Sequence, residues 1–177
     1  LNGILSVGSD VIVRGLITVD GDAAINSNLF VSSDLSMNGA LFVALDSSLN
    51  GNLSVGTDVV VRGLITVDGD SVINSNLFVS SDLSMNGALF VDSDTSLNGN
   101  LSVGSDVVVR GLITVDGDAA INSNLFVSSD LSMNGALYVA LDSSLNGNLS
   151  VGTDVVVRGL ITVDGDAAIN SNLFVSS

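Results

Sequence analysis

Residues 5–22 read LSVGSD VIVRGL ITVDGD, three groups of six residues that share one pattern. Positions one and three of each group are aliphatic, whereas positions four to six hold mostly turn-forming residues such as Gly, Asp and Ser. Residues two apart lie on the same side of an extended segment. The pattern therefore predicts a three-residue strand followed by a turn, with position two of each group pointing outward.

The six-residue pattern continues in phase along the chain, and a longer, 48-residue period lies above it. We interpret residues 1–177 as one continuous array with 48-residue repeats that start at 1, 49, 97 and 145. We expect this array to be a segment of a longer repeat protein. A three-residue strand is unstable alone, but stacked copies bury one another's apolar sides. The sequence therefore predicts an all-β, single-chain β-solenoid.

The spacing of aspartates favours a coil with three sides. Asp occupies position six in every second group, from Asp10 to Asp166. A two-sided coil of about 12 residues would stack all these carboxylates about 4.8 Å apart, at a cost on the order of 1 kcal/mol per adjacent pair. In a triangular coil of about 18 residues, each corner receives Asp on alternate coils, about 9.6 Å apart, which is near the Debye length in physiological salt.

Three questions about the coil stay open at this point. A two-sided coil would become acceptable if cations filled the aspartate column. A trimeric intertwined β-prism, in which each chain supplies one side of every coil, also suits six-residue groups. The handedness of the coil is open too.

At the turns, Gly and Asn predict residues with a left-handed backbone conformation, because these residues tolerate it in sharp bends.

Composition excludes several classes of function. The net charge of −15 argues against nucleic acid and anionic membranes as partners, and the 46% hydrophobic content argues against disorder. We find no apolar run long enough to span a bilayer. The chain has no His, Cys, Lys or Glu, and its Ser and Asp residues recur in identical surroundings. A catalytic site needs a unique constellation of such groups, so we expect no enzymatic activity.

The outward aromatic side chains are the best candidates for an interaction surface. All seven aromatic residues of the chain occupy outward position two. They are Phe30, Phe42, Phe78, Phe90, Phe126, Tyr138 and Phe174. On a triangular coil they divide among the three faces, with pairs two coils apart. Exposed apolar patches often mark interfaces, so we predict lateral self-association or contact with another partner here.

The recurrent VDGD turns are the only candidate metal sites, and we interpret them as solubilising turns. Ca²⁺ favours the oxygen ligands that such carboxylates offer, so it stays an open alternative. The residues concerned are Asp20, Asp22, Asp68, Asp70, Asp116, Asp118, Asp164 and Asp166. No EF-hand loop and no GGxGxD nonapeptide accompanies them. The sequence therefore predicts no cofactor.

Two further features receive no functional role from the sequence. The four arginines occupy turn position four, where exposed pairs with Asp contribute less than about 1 kcal/mol. Outward Thr occurs once per long repeat, at 18, 66, 114 and 162. On a triangular coil these threonines scatter over three faces and form no flat row, which disfavours ice binding.

Two resemblances bear on fold and function. VGSDVVVRGLITVDGDAAINSNLFV (103–127) resembles the hexapeptide repeats of left-handed β-helices, whereas the larger inward residues Leu29, Leu35 and Leu41 resemble those of right-handed triangular helices such as bactofilins. DLSMNGALFV (34–43) and SSLNGNLSVG (47–56) are similar to segments of repetitive fibre-like proteins of large algal DNA viruses and phages. This likeness implies a fibre component.

We therefore expect a rigid structural shaft in an extracellular or virion-associated fibre, with the chain itself as partner, end to end or side by side. The alternative is an adhesin or receptor-binding fibre that recognises a cell-surface or matrix partner. A bactofilin-like cytoskeletal polymer and an ice-binding protein are less favoured. No membrane insertion is expected.

Overall fold

The computed structural model describes residues 1–176, and every regular element in them is a three-residue strand. The strands are β1 Leu5–Val7, β2 Val11–Val13, β3 Ile17–Val19, β4 Ala23–Ile25, β5 Leu29–Val31, β6 Leu35–Met37, β7 Leu41–Val43, β8 Ser47–Leu49, β9 Leu53–Val55, β10 Val59–Val61, β11 Ile65–Val67, β12 Ser71–Ile73, β13 Leu77–Val79, β14 Leu83–Met85, β15 Leu89–Val91, β16 Thr95–Leu97, β17 Leu101–Val103, β18 Val107–Val109, β19 Ile113–Val115, β20 Ala119–Ile121, β21 Leu125–Val127, β22 Leu131–Met133, β23 Leu137–Val139, β24 Ser143–Leu145, β25 Leu149–Val151, β26 Val155–Val157, β27 Ile161–Val163, β28 Ala167–Ile169 and β29 Leu173–Val175. No helix occurs in this part of the chain, so none there could cross a membrane.

Every third strand belongs to the same parallel sheet. Face A runs from β1 through β4 and β7 to β28, and face B from β2 through β5 and β8 to β29; each has 10 strands. Face C runs from β3 through β6 and β9 to β27 and has 9 strands. Paired residues are 18 apart, as in Leu29 opposite both Val11 and Ser47. The predicted triangular β-solenoid, with three strands to each coil, is therefore confirmed.

The two alternative architectures are wrong for this chain. In a two-sided coil, every second strand would pair, whereas the structure pairs every third. In an intertwined prism, neighbouring strands would come from different chains, whereas here they come from one chain. Ten coils at about 4.8 Å each make a rod about 48 Å long.

The core is a column of aliphatic side chains from positions one and three. In residues 29–43, Leu29, Val31, Leu35 and Met37 are all buried, whereas Phe30 points outward with 41% of its surface exposed. Strands of three residues show this inward, outward, inward order throughout the middle of the rod. The hydrophobic pattern at period two therefore decides which side of each strand faces the core.

Small inward residues occur at regular intervals in this core. They stand at position one of every fourth strand: Ala23, Ser47, Ser71, Thr95, Ala119, Ser143 and Ala167, of which Ala167 is exposed near the end of the rod. Because a coil has three strands, each small residue lies one face further on than the one before it. No coil holds two of them, so the inward residues stacked beside each one are larger and aliphatic, as with Leu5 and Leu41 on either side of Ala23.

The corners form without the left-handed backbone that the sequence predicted, so that prediction is wrong. Among residues 1–176, the only positive φ is that of Gly3. A triangular coil turns about a third of a circle at each corner and shares the turn among three residues, so no residue needs a left-handed conformation. Glycine is required instead where successive coils approach closely. A Cβ on Gly111 would lie 2.6 Å from the carbonyl carbon and oxygen of Ser93 in the preceding coil.

This close approach predicts different effects of the same substitution at two equivalent positions. Gly111→Ala should lower the free energy of unfolding by about 1–3 kcal/mol, because backbone atoms must move apart. Gly15→Ala is the matched control, since Gly15 lies in the same Arg-Gly-Leu sequence but has nothing within 4 Å of its added Cβ. Denaturant unfolding of both variants checks this. Equal destabilisation would contradict the close-contact explanation.

Four inward hydroxyl groups of the core lack a hydrogen-bond partner, and one of them offers a test. The Ser71 hydroxyl is buried and unpaired, and Ala23 and Ala119 stand at the equivalent place in other repeats. An unpaired buried hydroxyl costs about 1–3 kcal/mol. Ser71→Ala should therefore raise the denaturant midpoint, with Ser54→Ala on the exposed side of β9 as a neutral control. A lower midpoint for Ser71→Ala would contradict this account.

Candidate functional surface

A ladder of side-chain acceptors runs along each corner of the rod. The Asp34 carboxylate accepts a 2.8 Å hydrogen bond from the backbone N–H of Asn52, one coil further on. The Asn52 side-chain oxygen in turn accepts a 2.9 Å bond from the N–H of Asp70. Position-six side chains therefore bind the coil that follows them, and the aspartates act as structural acceptors.

The aspartates alternate with uncharged residues in each ladder, as the sequence predicted. One corner reads Asp34, Asn52, Asp70, Ala88, Asp106 in successive coils. Ala88 donates its N–H to Asp70 but has no side-chain acceptor, so the ladder resumes at Asp106. The position-six carboxylates in one corner are therefore two coils apart, about 9.6 Å, which keeps their repulsion small.

One class of corner aspartate has an additional partner. The hydroxyl of Ser75 donates to the Asp58 carboxylate and is the main cause that lowers its pKa, followed by the N–H and the side-chain amide of Asn76. The same arrangement lowers the pKa of the equivalent residues in the other repeats. These are Asp10, Asp106 and Asp154, with Ser27, Ser123 and Ser171 as the respective donors. The four carboxylates are thus held charged and in a fixed orientation.

The VDGD aspartates, which were the calcium candidates, take part in the same contacts between coils. The Asp20 carboxylate accepts a 3.3 Å bond from the Asn38 amide, and Asp22 accepts a 2.9 Å bond from the N–H of Ala40. Asp68, Asp70, Asp116 and Asp118 repeat these contacts, and Asp164 and Asp166 lie at an exposed corner. No group of three or more acidic residues within residues 1–176 could hold a metal ion. These contacts give the aspartates a structural role.

The structure places the aromatic candidates on the outer surface of all three faces. Their exposed fractions lie between 40% for Phe90 and 56% for Phe174, except that Phe42 and Tyr138 are half-buried. The predicted pairs two coils apart are present: Phe42 and Phe78 flank Val60 on face A, for example. Phe30 lies beside the exposed Ile12 near the start of face B.

The outward residues of each face include one apolar stretch of four coils, which we call an aromatic stripe. The stripes are Ala24, Phe42, Val60 and Phe78 on face A; Val72, Phe90, Val108 and Phe126 on face C; and Ala120, Tyr138, Val156 and Phe174 on face B. Each stripe begins one long repeat after the stripe before it. The long sequence period therefore carries the same surface to a new face with each repeat.

Hydroxyl side chains adjoin each stripe along the rod. On face A, Ser96, Thr114, Ser132 and Ser150 follow Phe78 in successive coils. Every outward Thr has Ser beside it, and the four lie on different parts of the rod: Thr18 and Thr162 on face C, Thr66 on face B and Thr114 on face A. The predicted scatter of the threonines is therefore confirmed.

Three of the four arginines, which the sequence left without a role, lie beside the stripes: Arg62, Arg110 and Arg158. The Arg62 guanidinium is 5.3 Å from the centre of the Phe42 ring, and that of Arg158 is 5.5 Å from the Tyr138 ring. Both distances suit a cation–π contact, which explains why these two rings are half-buried. Arg110 instead forms an ion pair with Asp92 at 3.2 Å.

The different contact of Arg110 follows from one change between the repeats. Asp92 stands where the neighbouring repeats have Ala44 and Ala140, directly one coil before the arginine. A comparison of the repeats at this position would have revealed that Asp92 is available to pair with Arg110. Exposed leucines at the corners were also missed: Leu45 and Leu64 lie on adjacent coils beside the face A stripe, and they were visible as departures from the six-residue pattern.

No protein-family model, curated protein or solved structure matches this chain. The structure also contains no pocket within the part of the chain that it describes. The aromatic stripes and their arginines are therefore the surface from which a function can be argued.

The serine–aspartate contacts predict a pH-dependent contribution to stability. Because the folded state lowers the pKa of these four aspartates from 3.8, their contribution is present above that value and is lost as the pH falls through the folded pKa. The variant Ser27→Ala/Ser75→Ala/Ser123→Ala/Ser171→Ala should therefore unfold more easily than the wild type near pH 6. The difference should shrink near pH 2.

The denaturant midpoint measured at several pH values checks this prediction. The control is Ser32→Ala/Ser80→Ala/Ser128→Ala/Ser176→Ala. These four serines are exposed, and the control loses as many hydroxyl groups as the tested variant. Its midpoint should follow that of the wild type at every pH. A loss of stability that is equal at both pH values would show that the serines do not act through the aspartates.

Proposed function

We propose that this chain is a rigid structural shaft in an extracellular or virion-associated fibre, and that it is not an enzyme. The observation that carries the proposal is the unbroken register, in which all three faces continue from coil to coil without an insertion. A rod that is held by backbone hydrogen bonds on every side resists bending and unfolding. Such a rod suits a component that separates two structures by a fixed distance.

The chemistry of the surface supports a mechanical role. The chain lacks His, Cys, Lys and Glu, and its Ser and Asp residues serve the contacts between coils. The high negative charge keeps long rods apart in solution until a specific contact forms. The resemblance of residues 34–43 and 47–56 to fibre-like proteins of algal viruses and phages is the reason to propose a virion surface as one location.

An adhesin or receptor-binding fibre is the second candidate. The exposed aromatic stripes favour it, because aromatic side chains are enriched where proteins bind one another. In that case the stripes would meet a cell-surface or matrix partner. A bactofilin-like polymer is a weaker candidate, which rests on the large inward residues Leu29, Leu35 and Leu41.

A change in length tests the shaft. Insertion of a second copy of residues 97–144 adds two and two-thirds coils and should lengthen the rod by about 13 Å with an unchanged cross-section. Small-angle X-ray scattering measures both quantities. The matched control inserts the same segment without its last residue, which breaks the register and should disorder the coils that follow.

The outcome separates the candidates. A rod that lengthens as stated and shows no binding to cells or matrix supports the shaft. A rod whose length does not follow the insertion would contradict it. Binding to a cell surface that is lost when Phe78, Phe126 and Phe174 become Ser would replace the shaft with the adhesin.

A further inference from the structure

The strand at the centre of the face A stripe has opposite charges at its two ends. Asp58 precedes β10 and Arg62 follows it, so the sequence DVVVR (58–62) crosses the whole face. Val60 points outward between the two charges, with Phe42 and Phe78 in the coils on either side. The face therefore has an acidic edge, an apolar centre and a basic edge at the same level of the rod.

Both charged groups are held in place by their own chain. The Asp58 carboxylate accepts bonds of 3.0 Å from the N–H and 3.2 Å from the side-chain amide of Asn76. The Arg62 guanidinium lies over the ring of Phe42 at 5.3 Å. Groups that are already ordered lose little conformational entropy when they meet a partner.

This arrangement is self-complementary in only one orientation. A two-fold axis parallel to the rods exchanges the acidic and basic edges of two facing copies. Asp58 of each copy then lies opposite Arg62 of the other, and the apolar centres meet. In rods that point in opposite directions, Asp58 would face Asp58 and Arg62 would face Arg62, which is repulsive. A two-fold contact of this kind uses the same patch on both copies.

We propose that the aromatic stripes of faces A and B bind a second copy of this chain, side by side and pointing the same way, with the ion pairs between Asp58 and Arg62 at the centre of the face A contact. The proposal rests on the proposed shaft and names the partner of its surface. The overall charge of −15 opposes the contact, but salt screens charges beyond about 8 Å, whereas the facing ion pairs are in contact. Rods that pair in this way would form a bundle in which all shafts share one polarity.

The three stripes differ in whether their arginine is already paired with a carboxylate of the same chain. Face B repeats the arrangement with DVVVR at 154–158 between Tyr138 and Phe174, and Arg158 lies over the Tyr138 ring. On face C the corresponding arginine, Arg110, is already paired with Asp92 of its own chain at 3.2 Å. Faces A and B therefore carry the pairing, and face C serves as an internal control.

The start of face B carries a shorter version of the same surface. Ile12 lies between Asp10 and Arg14, and Phe30 follows it in the next coil. Ser48 then replaces the apolar residue that would continue the stretch. Because this surface also has an acidic and a basic edge, Arg14 is changed together with the other pairing arginines in the tests below.

Sedimentation equilibrium of the 177-residue chain in physiological salt tests the association. The wild type should form concentration-dependent dimers or larger bundles. Arg14→Gln/Arg62→Gln/Arg158→Gln should weaken the association at least tenfold, whereas Arg110→Gln should change it less than twofold. Circular dichroism and the rod length from small-angle X-ray scattering show whether each variant still folds.

The apolar centre has its own variant in the same experiment. Phe78→Ser/Phe174→Ser should also weaken the association at least tenfold, because it removes an aromatic ring from the stripes of faces A and B. Phe126→Ser on face C is the matched control and should change the association less than twofold. An equal loss in the two variants would show that the stripes associate without regard to the free arginines.

A distance measurement tests the orientation. The chain has no Cys, so Ser150→Cys introduces a single site for a spin label on face A, five coils beyond Val60. An Arg14→Gln/Arg158→Gln/Phe174→Ser background leaves face A as the pairing surface. Parallel rods should place the two labels within about 20 Å of each other, because facing sheets pack about 10 Å apart. Antiparallel rods centred on Val60 would separate them by ten coils, about 48 Å.

Four results would overturn the proposal: rods that stay monomeric, association that the arginine variant does not weaken, an equal loss in the Phe78→Ser/Phe174→Ser and Phe126→Ser variants, or the long label distance of antiparallel rods. None of these would contradict the shaft, which depends on whether the rod lengthens with an inserted repeat. If an inserted repeat does not lengthen the rod but the rods still pair, the shaft is contradicted and the pairing is not.

Discussion

The parallel pairing of each residue with the one 18 positions later is the interaction on which the rest of this structure depends. It brings the position-six side chain of one coil to the backbone N–H of the next and so creates the corner ladders. It also stacks outward residues of the same face, which turns isolated aromatic residues into stripes. A shift of one residue would place the aliphatic side chains outside and the aromatic side chains inside.

The sequence predicted the architecture well because two of its periods have a direct physical meaning. The alternation of aliphatic and polar residues decides which side of a strand is buried, and Leu29, Phe30 and Val31 follow it. The spacing of the aspartates separates a coil of three sides from one of two, because carboxylates repel when they stack. Neither argument needs knowledge of contacts between distant residues.

The errors and omissions concern contacts that only the three-dimensional register creates. Glycine suggested a left-handed turn, but at Gly111 it is required by the carbonyl group of Ser93, which no local pattern indicates. The contact of Arg62 with Phe42 and the ion pair of Arg110 with Asp92 each join one coil to the next. Once the coil length is known, both become visible in the sequence, and the change from Ala44 to Asp92 between repeats then acquires a meaning.

The regular advance of the small inward residues from face to face has a consequence for the shape of the rod. A small side chain lets its face settle closer to the axis, which tilts the coils slightly toward that side. Because Ala23, Ser47 and Ser71 lie on faces A, B and C in turn, the three tilts point in directions a third of a circle apart and cancel. The cycle closes after four coils. A spacing of one or two whole coils would place every small residue on one face and curve the rod into an arc, so the spacing of four strands keeps the rod straight.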